Sequence, residues 1–135
     1  MSSENVEAIA RIYEATARGD FWVIGELLDP EIVWSWMPSM AGMTGESEYR
    51  GLEGVEAATR DFFAAWDLFR EEAVELVDAG DAVVAETRFY ARPKGATQEI
   101  QGTSWEVWTF RGDRVVRFQQ FGSREEARAA TGLSG

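Results

Sequence analysis

The first half of the chain places apolar residues at the spacing of an amphipathic helix. Val6, Ile9, Ala10, Tyr13 and Ala17 recur at intervals of three and four residues, which predicts a first helix with one buried face. A second, shorter helix is predicted from about residue 20, and the dipeptide at 29–30, Asp-Pro, is expected to end it.

The clearest helical stripe in the sequence lies between residues 52 and 69. Its apolar positions step by three and four residues, and they are Leu52, Val55, Thr59, Phe62, Trp66 and Phe69. The spacing therefore predicts one long helix over 52–69 that packs across a large partner.

The second half of the chain has the period of strands. Strands are predicted at 32–37, 72–78, 82–92, 98–110 and 114–121, with turns centred on Gly80, Gly95 and Gly112. Ser123 and Glu126 form a capping box for a short C-terminal helix. This order predicts a single α+β domain over 1–135, in which a strongly bent, mainly antiparallel sheet forms a cone around the long helix, with two N-terminal helices and a short C-terminal one.

Composition removes most catalytic chemistry. The chain has 135 residues, of which 45% are hydrophobic and 27% charged, and it has no cysteine and no histidine. Thiolate nucleophiles, histidine-dependent triads and Cys or His metal sites are therefore excluded. We expect no metal site and no cofactor.

The net charge of −11 argues against nucleic acid and anionic membranes as partners. The N-terminal residues lack the basic and apolar regions of a signal peptide, and no segment has the length of a membrane span. A cytoplasmic location is therefore expected.

The segment 38–50 is predicted to be a loop, and it contains Met40 and Met43. Two interpretations remain open. The methionines either fold back onto the core or belong to a flexible lid over a pocket.

Several short segments together resemble a known family. They include Tyr13 through Asp20, the stretch from Leu28 to Trp34, 49–55 (Tyr-Arg-Gly-Leu-Glu-Gly-Val), 78–81 (Asp-Ala-Gly-Asp) and 107–116. The chain resembles the SnoaL-like, polyketide cyclase-like proteins of the nuclear transport factor 2-like superfamily. That superfamily includes isomerases, dehydratases, cyclases, epoxide hydrolases and non-catalytic binders, so the resemblance implies a fold and a pocket more than a reaction.

The resemblance also indicates which strand residues face the pocket. Ketosteroid isomerases of this superfamily carry a pocket carboxylic acid just before an aromatic-x-Phe stretch, and Glu106 matches that position ahead of Trp108 and Phe110. On this alternation Ser104 also faces inward, as do Phe118 and Gln120 on the last strand. On the 82–92 strand the smaller set, which includes Thr87 and Phe89, is expected to face inward.

The other active-site positions of the superfamily are not preserved. Ser35 stands near the position of the isomerase base, and Tyr13 lies close to the position of the isomerase tyrosine. The Arg-x-Asp pair of the epoxide hydrolases is replaced by Thr87-x-Phe89. With Glu106 as the one expected pocket carboxylate, three roles remain open for it: acid or base, ligand contact, or structural group.

Five tryptophans come from three predicted elements. Trp66 and Trp108 are among them, and they either fill the core or wall a pocket for a planar apolar ligand. The candidate ligand-binding set is Tyr13, Ser35, Trp66, Thr87, Phe89, Ser104, Trp108, Phe118 and Gln120, with Glu106 as the candidate catalytic residue.

Three functions follow as hypotheses. The chain is a cofactor-free enzyme that moves a proton on a small apolar or aromatic metabolite, a non-catalytic binder of such a molecule, or an association module whose pocket is filled. A homodimer through the convex face of the sheet is also predicted, because this face is expected to carry an apolar patch formed by Val84, Tyr90, Trp105, Val107 and Phe121.

Overall fold

The structure is a computed structural model that describes residues 2–18, 20–37 and 47–132. Its helices are α1 (Ser2–Ala17), a short 3-10 helix (Phe21–Glu26), α2 (Gly51–Ala64) and α3 (Arg124–Thr131). Its strands are β1 (Leu28–Ser35), β2 (Glu48–Arg50), β3 (Trp66–Asp78), β4 (Ala82–Pro93), β5 (Ile100–Arg111) and β6 (Arg114–Phe121).

The described strands form one sheet in the order β2-β1-β6-β5-β4-β3. Every neighbouring pair is antiparallel except β1 and β6, which run parallel. Irregularities in register interrupt the β1–β6, β3–β4 and β5–β6 pairings, and such bulges bend a sheet. The α+β class and the bent, mainly antiparallel sheet around a helix are therefore confirmed.

The long helix ends earlier than predicted. It stops at Ala64, and Trp66 and Phe69 belong to β3, where they pair with Pro93 and Ala91. A register shift between Trp66 and Leu68 places an extra residue in this strand, so two aromatic side chains three positions apart reach the same cluster. The prediction of a helix over 52–69 was wrong because a bulged strand imitated the helical spacing.

Two further elements differ from the prediction. The second N-terminal helix is a single 3-10 segment, and β1 already begins at Leu28, before the Asp-Pro step that was expected to stop a helix. The predicted loop at 38–50 ends in the short strand β2, while residues 38–46, on which both interpretations of Met40 and Met43 depend, lie outside the described residues.

The main core lies between the helices and the inner face of the sheet. It is built around fully buried residues from α1, β1, β4 and β6, which include Ile9, Ile32, Val83 and Phe118. A second cluster of mainly aromatic residues, around Phe62 and Trp66, continues this interior toward the end of α2.

The outer face of the sheet is partly covered by α3. Ala127 of this helix packs with Val84 and Val107, which are 4% and 1% exposed. Ser123 caps α3 by accepting a hydrogen bond from the Glu126 N–H at 3.2 Å, as the capping box predicted. The apolar patch behind the predicted homodimer is therefore smaller than the sequence indicated, and dimerisation stays a prediction.

In the part of the chain that the structure describes, no helix is both long enough and apolar enough to cross a membrane.

Candidate active site

A cavity lies between α1, α2 and the inner face of the sheet. The space open to the centres of water-sized molecules is about 90 Å³, several times the 10–15 Å³ needed for one water. Its walls are mainly aromatic, with a few polar groups, and are formed by Ile12, Tyr13, Thr16, Ile24, Trp34, Trp36, Thr59, Phe62, Phe63, Phe69, Glu71, Glu106, Trp108, Phe118 and Gln120. The cone is therefore not filled by its own side chains.

Glu106 lies at the centre of a buried hydrogen-bond network in this cavity. Its side chain projects from the inner face of β5 and is 4% exposed. The Tyr13 hydroxyl donates to Oε1, and the Gln120 amide donates to Oε2 at 3.3 Å. Trp108 Nε1 in turn donates to the Tyr13 hydroxyl oxygen at 3.0 Å, so one chain of hydrogen bonds joins β5, α1 and β6.

The network is held by the register of the sheet. Glu106 pairs with Gln120 across β5 and β6, and Trp108 pairs with Phe118 two residues further along. Alternation of side chains then places all four on the inner face, and α1 brings Tyr13 down onto them. The site thus depends on residues far apart in sequence, since Tyr13 and Glu106 are separated by 93 in residue number.

Burial changes the acidity of the Glu106 carboxyl. Removal from water raises its pKa from 4.5 to about 7, although the hydrogen bonds from Tyr13 and Gln120 act in the opposite direction. A carboxyl with a pKa near 7 is populated in both protonation states at neutral pH, which is the property that a general acid or base requires.

A second carboxyl, Glu71 of β3, lines the same cavity. Burial and the negative charge of Glu106 raise the pKa of Glu71, while a hydrogen bond with Thr87 lowers it. Thr87 is fully buried, and its hydroxyl lies 2.7 Å from that of Ser104. Two carboxyls that face one poorly solvated cavity disfavour double ionisation, so the pair tends to keep a proton.

Tyr13 stays a hydrogen-bond donor. Its pKa is raised well above 10 by burial and by the charges of Glu106 and Glu71. Its hydroxyl therefore keeps its proton at physiological pH and stabilises the ionised form of Glu106.

The aromatic wall is held by ring contacts among Trp34, Trp36, Phe62, Trp108 and Phe118. Trp34 stacks on Phe118 with ring centroids 3.9 Å apart, and Trp36 stacks on Phe62 at 5.1 Å. The indole N–H groups of Trp34 and Trp36 are buried without a hydrogen-bond partner among the described residues, which is unusual for this side chain.

Five of the predicted site residues line the cavity: Tyr13, Glu106, Trp108, Phe118 and Gln120. The other five do not line it. Ser35 lies on β1 between Trp34 and Trp36, which both face the cavity, so the alternation of the chain turns Ser35 away.

The remaining four are buried or half-buried beside the cavity. Trp66 and Phe89 belong to the aromatic cluster at the end of α2, where Phe89 stacks with Phe69 at 6.1 Å. Thr87 and Ser104 form a hydroxyl pair behind Glu71.

Glu71 is the functional candidate that sequence reasoning missed. Because a helix was predicted through Phe69, the first half of β3 was not recognised as a strand. Its alternate positions Phe69, Glu71 and Ala73, which face inward, were therefore not identified. Arg70 and Glu72, which lie between these positions, give the polar alternation that indicates a strand with one buried face.

Within residues 2–18, 20–37 and 47–132, no group of three or more Asp and Glu side chains is arranged to hold a metal ion.

The fold agrees with comparisons to known proteins. The family model of the SnoaL-like domain matches residues 9–118. The chain therefore belongs to the SnoaL-like domain family, as the sequence indicated.

Solved structures of similar fold share little sequence with this chain. An NTF2-like protein of unknown function from Burkholderia pseudomallei K96243 is 20% identical, with a TM-score of 0.80 and coverage of 93% of this chain and 95% of that one. TerC, co-crystallised with polyporic acid, is 17% identical, with a TM-score of 0.78 and coverage of 95% and 98%. A hypothetical protein with a ketosteroid isomerase-like fold from Catenulispora acidiphila DSM 44928, in complex with trimethylamine, is 19% identical, with a TM-score of 0.66 and coverage of 96% and 92%.

None of the curated proteins compared with the chain matches it. At these identities the likeness to solved structures concerns the fold alone.

Proposed function

We propose that the chain is a cofactor-free enzyme that transfers a proton on a small apolar or aromatic molecule held in the cavity, with Glu106 as the general acid and base. The observation that carries this proposal is the buried Glu106 carboxyl in the cavity wall, whose pKa is raised to about 7. No residue type that the chain lacks is needed for this chemistry.

The proposed step is a proton transfer within one substrate. The ionised Glu106 takes a proton from a C–H or O–H group, and the electron pair left behind shifts along the substrate toward a neighbouring carbonyl or double bond. The protonated Glu106 then returns the proton to another atom of the same molecule, so that no oxidant or reductant is consumed. Tyr13 holds the carboxyl in place and keeps part of its ionised population at neutral pH.

The lining of the cavity suits a small apolar or aromatic ligand. Its walls offer mainly apolar and aromatic surface, and Trp34 and Phe118 present rings against which a planar group packs. The structures of TerC with polyporic acid and of the Catenulispora protein with trimethylamine support the idea that this fold accommodates small organic molecules.

A non-catalytic binder is the second candidate. The observation in its favour is that both Glu106 oxygens already accept hydrogen bonds from the protein, from Tyr13 and Gln120. The filled association module is not favoured, because the cavity is open to several water-sized molecules.

The variant Glu106→Gln distinguishes the enzyme from the non-catalytic binder. Ligands are first found by screening small aromatic compounds for a change in tryptophan fluorescence, since Trp34, Trp36 and Trp108 line the cavity. Each ligand is then incubated with the protein in D2O, and deuterium incorporation is followed by NMR.

An enzyme is expected to exchange a C–H proton of the ligand, and Glu106→Gln is expected to bind the ligand but lose the exchange, because an amide does not transfer a proton at useful rates. Glu56→Gln, an exposed position on α2 outside the cavity, is the matched control. Binding without exchange in the unmodified protein, for every ligand found, would establish the binder instead.

A further inference from the structure

The charged side chains that line the cavity are acidic. Glu71 and Glu106 are its acidic members, and none of the described residues that line it is basic. The Tyr13 hydroxyl and the Trp108 indole direct their hydrogen atoms within the Glu106 network, and the Gln120 amide directs one of its two there. What the cavity still presents to a ligand is therefore mainly carboxyl oxygen and aromatic ring.

The buried donors of the wall do not change this balance. The N–H groups of Trp34 and Trp36 have essentially no accessible surface, so a ligand oxygen does not reach them. The hydroxyls of Thr16 and Thr59 donate to the carbonyls of Ile12 and Val55 within their own helices.

A groove with the same excess of acidic residues lies next to the cavity. It runs between α1 and β3 and is lined by four glutamates with no basic residue among its described members: Glu14, Glu71, Glu72 and Glu75. Tyr13 and Glu71 line both this acidic groove and the cavity.

Two nearby arginines do not line this groove, although Arg70 lines a neighbouring depression together with Glu71 and Glu72. Arg70 holds its guanidinium 5.0 Å from the centre of the Tyr90 ring. Arg124 is bonded to Glu86 at 2.6 Å on the outer face, where it also interacts with Glu75. The negative charge of the groove is thus carried mainly by Glu14 and Glu72, whereas the raised pKa of Glu71 means that it holds its proton more tightly until a cation lies beside it.

Carboxylates and aromatic faces together recognise one class of ligand. The face of an aromatic ring attracts a cation, and the attraction strengthens when both are removed from water. Aromatic cages of this kind bind alkylated ammonium groups, and a groove lined with one sign of charge raises the encounter rate of the opposite sign.

We propose that the substrate of this site is a small organic ammonium ion, which enters along the acidic groove, pairs with Glu71 and packs its alkyl groups against the aromatic wall. This inference rests on the proposed function and specifies that the apolar molecule on which Glu106 acts also carries a positive charge. Glu71 is then a binding residue at the junction of groove and cavity, and Glu106 remains the group that moves the proton.

The test compares three probes of nearly equal shape. Choline carries a quaternary ammonium group, 3,3-dimethylbutan-1-ol replaces its nitrogen by carbon, and 3,3-dimethylbutanoate carries a negative charge. Each is titrated into the protein at low salt while tryptophan fluorescence is recorded. We expect choline to bind at least tenfold more tightly than the alcohol, and the anion to bind most weakly.

Variants identify which carboxyl is responsible for the preference for choline over the alcohol. Glu71→Gln is expected to reduce the ratio of choline to alcohol affinity toward one, whereas Glu56→Gln, which changes the net charge equally, should leave the ratio unchanged. In stopped-flow measurements, Glu72→Gln is expected to slow the association of choline severalfold with little effect on its dissociation. These kinetics keep the test decisive if Glu71→Gln does not fold.

An affinity for the alcohol or the anion equal to or above that for choline would overturn the ammonium proposal and leave the proposed proton transfer standing. Retention of the full choline preference by Glu71→Gln would overturn the pairing with Glu71. Failure of all three probes to bind at millimolar concentration would also overturn this proposal, while the proposed function would fall only if the wider screen gave no ligand either.

Discussion

Glu106 and Glu86 lie on neighbouring strands of the same sheet, and their surroundings give them opposite properties. Glu106 faces the interior, where burial raises its pKa to about 7. Glu86 faces outward, and its pKa is lowered, first by its hydrogen bond with Arg124 and further by the Trp105 indole, which donates to it at 3.0 Å.

The difference shows how one residue type performs two tasks in one small domain. On the outer face a carboxylate joins α3 to the sheet, because Arg124 belongs to that helix and Glu86 to β4. On the inner face the carboxyl has neutral donors and an acidic neighbour instead of a cation, so its proton is held more tightly. The partner and the access of water, more than the residue itself, decide whether a glutamate is a fixed charge or a titratable group.

Among the variants that test this comparison of the inner and outer faces, Phe118→Ala is expected to have the largest effect on stability. Phe118 is 1% exposed and stacks on Trp34, so truncation leaves a cavity beside the site and should lower the free energy of unfolding by about 3–5 kcal/mol. Phe121→Ala, three residues along β6 and only partly buried in the outer cluster, is the control and should lose less. Urea denaturation of both variants checks the order, and equal losses would mean that the inner face is no better packed than the outer one.

The pH dependence of stability should have opposite signs for the two glutamates. Because the folded pKa of Glu106 is raised, the folded protein binds this proton more tightly, and the free energy of unfolding should fall as pH rises from 4.5 to about 7. At about 1.4 kcal/mol per pKa unit, Glu106 accounts for roughly 3 kcal/mol of this decrease. Urea titrations between pH 4 and 8 should show a clearly flatter profile for Glu106→Gln, and an unchanged profile would contradict the raised pKa.

Tyr13→Phe tests the network around the inner carboxyl. Loss of the hydroxyl leaves the Trp108 N–H without its acceptor and Oε1 of Glu106 without its donor, which should reduce stability by about 1–3 kcal/mol. It should also raise the pKa of Glu106 further, because the Tyr13 hydrogen bond lowers that pKa in the intact protein.

NMR titration of the glutamate carboxyl carbons measures this shift. Tyr49→Phe is the control, since Tyr49 is equally buried but donates to Asp61 at 3.2 Å, and it should leave the pKa of Glu106 in place. A shift of equal size in both variants would indicate a general effect of loosened packing.

The smallest effect is expected from Glu86→Gln on the outer face. Its carboxylate is partly exposed and its partner Arg124 more so, and ion pairs of this kind add little to stability. Since the folded pKa of Glu86 is lowered, its contribution is present above the ordinary glutamate pKa and is lost as pH falls below it. Thermal melts at pH 7 and pH 3 should therefore differ between Glu86→Gln and the unmodified protein only at the higher pH.

The sequence came closer to the fold than to the site. Alternation on β5 and β6, together with the family resemblance, placed Glu106, Trp108, Phe118 and Gln120 on one face, and all four line the cavity. The same approach failed on β1, where Ser35 faces away from the cavity and the two tryptophans beside it face in. A choice of face shifted by one residue reverses every side chain of a strand.

The sequence by itself determined the α+β class, the approximate positions of the later strands, and the exclusion of thiol and imidazole chemistry, because these depend on local periodicity and on residue types. Only the tertiary structure decided where α2 ends and β3 begins, since the pairing of Trp66 and Phe69 with β4 outweighed their helical spacing. It alone brought Glu71 and Tyr13 to Glu106, although each lies at least 35 positions from Glu106 in the sequence. The pKa of a buried carboxyl and the charge of a cavity depend on such long-range neighbours and on the exclusion of water. The spacing of residues along the chain does not reveal either.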